Sequence, residues 1–497
     1  AKRNQDAAKA LPAAKQKSYA ELEKVEDENI VQAIPNAKAS EWMEENIPLF
    51  ECPQRNFEEM YYYRWWALRK HIKETPVGYG MTEFLVQRSY SDKYNLIACA
   101  IGHHIYESLW LRDPKYLDQI IHTWYRGNDG GPMNKMNKFS SWNADAVLAR
   151  YMVDADKDFM LDMKENLEAE YQRWECTNRL QNGLYWQGDV QDGMEESISG
   201  GRKKKYARPT INSYMYGNAK ALSLMGILSD DEGMAMRYGM RADTLKRLVQ
   251  DKLWNSRHQF FETMRADSSA NVREAIGYIP WYFNLPDTVK QYEVAWKEIM
   301  DENGFSAPYG LTTAERRHPE FRTHGVGKCE WDGAIWPFAS AQTLTAMANF
   351  MNNYPQTVLS DSVYFRQMEL YVESQYHRGR PYIGEYLDEV TGYWLKGDQE
   401  RSRYYNHSTF NDLMITGLIG LRPRLDDTVE VNQLIPADKW DWFCLDNVLY
   451  HGRNLTILWD KYGDRYHRGK GLRIFVDGKQ VGYADRLTRI ICENVLK

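Results

Sequence analysis

Between Gln191 and Gly200 the chain reads QDGMEESISG, with Asp192, Glu195 and Glu196 crowded among glycines and small residues. Such a stretch is too rich in glycine for a comfortable helix and too acidic for a core strand. It reads as a shaped loop able to aim one carboxylate at a ligand. Three other stretches share its character. GYGMTEFL (78–85), GKCEWDGAIWPFAS (327–340) and RPYIGEYLDEVTGYW (380–394), the last continued by YYNHSTFNDL (404–413), each place an acid among glycines and aromatics. Acids brought from distant loops to one polar ligand suit cleavage of a glycosidic bond. One protonated carboxyl delivers a proton to the leaving oxygen, and the other serves water as a base or attacks as a nucleophile. Neighbouring aromatics exclude water and raise the pKa of an acid by desolvating it. The chain holds 17 Trp and 34 Tyr, whose flat apolar faces and polar tips match sugar rings, although a large helical core uses the same residues as filling.

Three of these stretches resemble, in order, the signatures of the inverting six-hairpin glycosidases that include trehalases, processing α-glucosidases and mannosylglycerate hydrolase. The resemblance spans about residues 180 to 420. Gly193-Met194-Glu195-Glu196-Ser197 is similar to the family's acid segment and places the general acid at Glu195, with Asp192 and Glu196 as alternates one alignment slip away. Glu385-Tyr386-Leu387-Asp388-Glu389-Val390-Thr391-Gly392 is similar to the base segment and places the general base at Glu385. Trp331-Asp332-Gly333-Ala334-Ile335-Trp336-Pro337 resembles a segment lining the sugar subsite, so Trp331, Asp332 and Trp336 are expected at the substrate. Two departures stand out: Glu195 replaces the family's Asp, and Asp332 replaces its Arg. Both argue for a different sugar or linkage, so the family's substrates do not carry over. Inversion with the two carboxyls roughly 6.5–9.5 Å apart is what the resemblance implies.

Other candidates surround these. Asp192, Glu196, Arg208, Asn212, Tyr216, Trp394 and His407 are expected as substrate ligands. Asp192 has a second reading as a turn residue. Asp332 either binds sugar hydroxyls or pairs with an arginine, because a buried lone carboxylate is costly. His407 either orients a sugar or water, or is structural.

The elements that must position these groups are mostly helical. Apolar residues recur at three-and-four spacing over 60–74, 92–111, 115–126, 144–154, 213–228, 232–254, 337–354 and 408–421. Plain short loops alternate with long ones loaded with Trp, acids and Arg, the asymmetry of a helical ring with a site at one end. The fold class expected is therefore mainly α, an (α/α)6 toroid over 55–424 behind an N-terminal helical arm, 1–54. After Pro423 the pattern turns to β-branched alternation with turn signals such as VDGK, giving a small antiparallel β domain over 425–497.

Several classes are excluded. The net charge of −6 offers no footprint for nucleic acid, and no apolar run approaches the roughly 20 residues of a membrane span. The six cysteines form no CxxC pair, and no dinucleotide or phosphate-binding loop is present. The tandem His103-His104 faces two sides of a helix and cannot chelate one metal. No metal or organic cofactor is expected, and the expected partner is a carbohydrate. The basic run Arg202–Lys205 is either a solvated loop or an attractor for an anionic substrate. A lyase or epimerase on the same toroid would lean instead on His103, His104, Tyr216 and Arg208, and a non-catalytic glycan binder would keep the tryptophans alone. A periplasmic or secreted location is expected from the function.

Overall fold

The computed structural model describes residues 27–497; the first half of the expected N-terminal arm lies outside the described residues. Six inner helices close a ring: Ile101–Ser108, Asn143–Asp154, Pro209–Leu228, Ile279–Tyr282, Pro337–Asn353 and Asn411–Leu413 pack each on the next, and the last returns to the first. Outer helices, among them Arg55–Lys70, Lys164–Asn178, Glu232–Leu248 and Asp361–Ser374, pack against this ring. This is the (α/α)6 toroid.

The polypeptide enters each inner helix from the same end of the ring. Pro209 and Pro337 occupy the first turns of their helices, where a missing N–H costs nothing. Gly217 lies against the ring of Phe283, and Gly102 against Trp142, so inner helices approach more closely than a Cβ would allow. Trp142 is fully buried at the centre, with His103, Tyr214, Tyr282 and Phe338 around it. A Cβ on Gly102 would lie 2.1 Å from Cε2 of Trp142. Gly102→Ala is therefore expected to cost about 1–3 kcal/mol of stability by overpacking. A denaturation midpoint equal to wild type would show that the ring has slack there.

Three helix boundaries differ from the expected ones. The 60–74 pattern ends as a helix at Lys70, and Ile72–Thr75 instead pairs with Gly78–Met81 as a hairpin. The 92–111 pattern is helical only from Ala98, because Tyr94 and Asn95 both take φ of 64°. The 408–421 pattern yields only Asn411–Leu413, followed by a wider-wound turn over Met414–Leu418.

The C-terminal sheet is antiparallel, in the order Leu49–Glu51, Trp442–Tyr450, Arg453–Asp460, Gly471–Val476, Lys479–Ala484. Its edge strand thus comes from the N-terminal segment, which is tied into the β domain. Asp477-Gly478 makes the expected two-residue turn, both residues at positive φ. Trp440 joins sheet to ring, packing on Phe57 and Phe365 and donating from Nε1 to Gln54 Oε1 at 3.1 Å.

Candidate active site

The loops preceding the inner helices wall a cavity of about 690 Å³, into which Glu195 and Glu385 both face. Glu195 is carried by a loop with little freedom. Val190–Asp192 forms a single tight turn, Gly193 follows at φ +72°, and Met194 N–H returns to Asp189 O at 2.9 Å. Glu196 takes φ of 67°, an unusual conformation for a side-chain-bearing residue, so the chain reverses at the acid. Met194 is buried behind the loop while Glu195 and Glu196 turn to the cavity.

Asp192 does not reach the cavity. Its Oδ2 accepts from Arg208 Nε at 2.7 Å and Thr210 Oγ1 at 2.5 Å, and its Oδ1 from Ser140 Oγ at 2.5 Å. Asp192 and Arg208 are both fully buried and bolt the loop to the starts of two inner helices. Asn212 clamps the same region, exchanging hydrogen bonds with both backbone groups of Tyr185. Arg208 and Asn212 are both wholly buried, and neither lines the cavity, so the structure does not place them as substrate ligands.

Glu385 sits on a loop tied to the start of Pro337–Asn353 by the paired bonds between Ile335 and Leu387, each 3.0 Å. The following Thr-Gly is a turn folded round Asp388 Oδ1, which accepts from the N–H groups of Val390 and Thr391. Trp394 is buried behind this loop, packed on Gly384, with its Nε1 on Tyr376 O. It supports Glu385 and does not touch the cavity. Trp336 does line it, stacked between Trp331 at 4.6 Å and Tyr386 at 4.5 Å, so Trp331 stands one layer back. Asp332 is wholly buried and follows neither expected course: its Oδ2 accepts from the backbone N–H of His324 at 2.5 Å and Gly325 at 3.2 Å, shaping the 324–329 loop. Tyr216 lies farther off, buried mid-helix with Asp243 and Asp287 as its charged neighbours. His407 lines the cavity floor against the ring of Tyr405 at 4.0 Å. His103 and His104 do not reach it; His104 Nε2 is engaged by Asn406 O at 2.7 Å.

The two candidate acids stand in opposite environments. Burial raises Glu195 to about 7, aided by the charges of Glu385 and Asp189 and opposed by its own backbone N–H and Arg202. Glu385 has the Lys396 ammonium 3.3 Å from its Oε2, and that ammonium rests over the Tyr386 ring. A further carboxyl, Glu83, completes the wall. It is buried, receives Cys99 Sγ–H at 3.4 Å, and is pushed up to about 8 by burial and then by Glu385 and Glu195. Glu83 lies in GYGMTEFL, a stretch with the right residue types, but nothing in its spacing singles out that acid. Lys396, Cys99 and Tyr405 reach the cavity with no local sequence signal. Cations also gather at the wall: Lys138, Arg202, Lys328 and Arg401 join Lys396. Among the described residues no group of His, Cys, Asp and Glu could hold a metal ion, and no helix is long and apolar enough to cross a membrane.

Comparisons with known proteins agree with this architecture. Residues 421–482 match the C-terminal domain of glycosyl hydrolase family 65. A solved structure called "Sialidase" is 90% identical, with a TM-score of 0.97 over 98% of this chain, and this chain spans only 45% of that one. The mannosylglycerate hydrolase of Thermus thermophilus in complex with glucose, 12% identical, superposes with a TM-score of 0.53 over 72% of this chain and 98% of its own. A family 78 rhamnosidase of Bacillus sp. GL1, 11% identical, gives 0.56 over 83% and 40%. These two share the fold. Residues 93–408, well over half of the chain, match the mannosylglycerate hydrolase MGH1-like glycoside hydrolase domain, and the chain belongs to that family of glycoside hydrolases.

Proposed function

We propose that this chain hydrolyses the glycosidic bond of a terminal, carboxylate-bearing sugar, a sialoside, with inversion at the anomeric carbon. The observation that carries the reading is the contrast between two carboxyls of one cavity: Glu195 is held toward its protonated form by burial, while Glu385 is paired with Lys396. A carboxyl kept protonated by burial suits the acid, and one facing an ammonium suits the base. Glu195 gives its proton to the glycosidic oxygen as the bond to the anomeric carbon breaks. Glu385 takes a proton from the water whose oxygen bonds to that carbon from the other face. Glu195 ends as carboxylate and Glu385 as acid, and exchange with solvent restores both. Trp336, His407 and Glu83 line the cavity that takes the ring.

The acidic substrate is supported by five cations around four carboxyls and by inner helices whose N-termini point toward the cavity, the end of a helix that favours negative charge. The 90% identical relative bears the name sialidase. A periplasmic or secreted location goes with this reading.

Hydrolysis of 3′-sialyllactose followed by proton NMR in the first minutes tests it. The anomer opposite to that of the substrate should appear first and then equilibrate. First appearance of the same anomer would make Glu385 a nucleophile instead of a base. Release from neutral glycosides, with none from sialosides, would remove the acidic substrate.

A further inference from the structure

The ring has a second cavity, about 330 Å³, at its other end. Leu148 and Met152 from the last turns of Asn143–Asp154, and Asn349 and Asn353 from the end of Pro337–Asn353, help to wall it. The catalytic cavity is walled by the loops before those helices, so the two lie at opposite mouths. Trp142 stands between them. Its ring is 6.3 Å from Phe338 of the catalytic cavity and 5.6 Å from Tyr282 of the second, and its Nε1 donates to Tyr282 Oη at 3.1 Å.

Five charged side chains line this space; Arg424 and Glu430 pair with each other, and the other three, Asp145, Asp412 and Arg422, form no ion pair among the described residues. Asp412 is 3% exposed; its Oδ1 accepts from Trp110 Nε1 at 2.9 Å, and its Oδ2 has no donor among the described residues. Asp145 accepts from Tyr106 Oη at 2.6 Å through Oδ2, and its Oδ1 likewise has no donor there. Arg422 donates to Thr416 O and Asn349 Oδ1, with no carboxylate in ion-pair range among the described residues. Burial lifts both aspartates to about 7 and lowers Arg422. Buried groups of this kind are costly unless something pairs with them. A cavity holding such groups beside the rings of Tyr282 and Phe283 has the makeup of a ligand site.

We propose that this second cavity binds a neutral polyhydroxylated molecule of monosaccharide size, with its hydroxyls on Asp145, Asp412 and Arg422 and its apolar face on Tyr282. The volume lies at the lower end of the roughly 300–1,000 Å³ of small-molecule sites, which excludes an oligosaccharide. The unpaired carboxyls of Asp145 and Asp412 oppose an anion, and the guanidiniums of Arg422 and Arg424 oppose a simple cation. Hydroxyls alone satisfy acceptor, donor and half-protonated carboxyl together. Asn353 and Asn284, joined by a side-chain bond of 2.9 Å to Asn284 Oδ1, are the exposed residues of this lining.

Calorimetric titration of the folded chain with D-glucose, D-galactose and myo-inositol tests the site, independently of what the catalytic cavity hydrolyses. At least one of the three should bind at millimolar strength. Asp412→Asn keeps the contact with Trp110 and should weaken that binding about tenfold or more by replacing a charged acceptor. Ala149→Phe fills the cavity and should abolish it, with a cooperative melt as the check on folding. Cys329→Trp, in the wall of the catalytic cavity, should leave it intact. Absence of binding by all three probes at tens of millimolar overturns the proposal. Binding that resists Asp412→Asn and Ala149→Phe but vanishes in Cys329→Trp does so too.

Discussion

Glu195→Gln should lower kcat on an unactivated sialoside by about 10²–10⁴-fold, the usual contribution of a positioned general acid. The loss should shrink on a nitrophenyl glycoside, whose leaving group departs without a proton. Glu385→Gln should be equally damaging on both substrates, because water must be activated whichever group leaves. That split separates the two roles, which two equal losses would not. The pH profile supplies a second reading. Burial raises Glu195 to about 7, and the acid works only when protonated, so kcat should fall as pH rises through that value, the alkaline limb of a bell whose acid limb is protonation of the base. In Glu195→Gln this alkaline limb should disappear. In Glu83→Gln it should persist near 7, because the carboxyl lost there is the one held at about 8. Near-wild-type turnover by Glu195→Gln on the unactivated substrate would move the acid to Glu196, the other carboxylate of this loop that reaches the cavity.

How far sequence reached into this site depended on what each residue needs. Glu195 and Glu385 were singled out by the resemblance of their segments to a family's acid and base segments, and the glycines beside them, Gly193 and Gly392, both at φ +72°, mark the turns that bring both side chains to the cavity. The ring was legible locally, since helices buried on one face repeat their apolar residues every three or four positions. Outer helices were harder. Lys164–Asn178 buries little beyond Leu167, Tyr171 and Trp174, a stripe one residue wide among charges. Supporting roles were illegible because they are set by contacts far apart in sequence. Nothing local distinguishes Asp192, which meets Arg208 and Ser140, from Glu195, three positions on, which meets the cavity. Trp394 and Trp331 share the composition of a sugar platform, but of the three tryptophans Trp336 alone lines the cavity. Glu83 and Lys396 come to the cavity wall from opposite ends of the ring's sequence.

The Asp192–Arg208 pair should carry the largest structural effect of any single site in the molecule. Both side chains have no exposed surface, so removing one leaves the other charged and unpaired in the interior. Asp192→Ala or Arg208→Met alone should each cost about 3–5 kcal/mol of stability. The double variant Asp192→Leu/Arg208→Met should recover only part of that, because the facing pair is gone while the buried Glu274 and Asp189 also lose the Arg208 charge. The guanidinium also reaches Ser197 Oγ and Ser199 Oγ at 3.4 and 3.3 Å, on the far side of Glu195, so the loop is held before and after Glu195. Turnover should therefore fall in the single variants through misplacement of Glu195. The alkaline limb near 7 should survive in whatever activity remains, since the acid itself is unchanged. A chemical role for Asp192 predicts the reverse: Asp192→Asn, which preserves shape and most hydrogen bonds, would melt near wild type but lose turnover by orders of magnitude, and its pH profile would lose a limb. Thermal denaturation and the pH profile of Asp192→Asn and Asp192→Ala together decide between an acid that does chemistry and one that aims another.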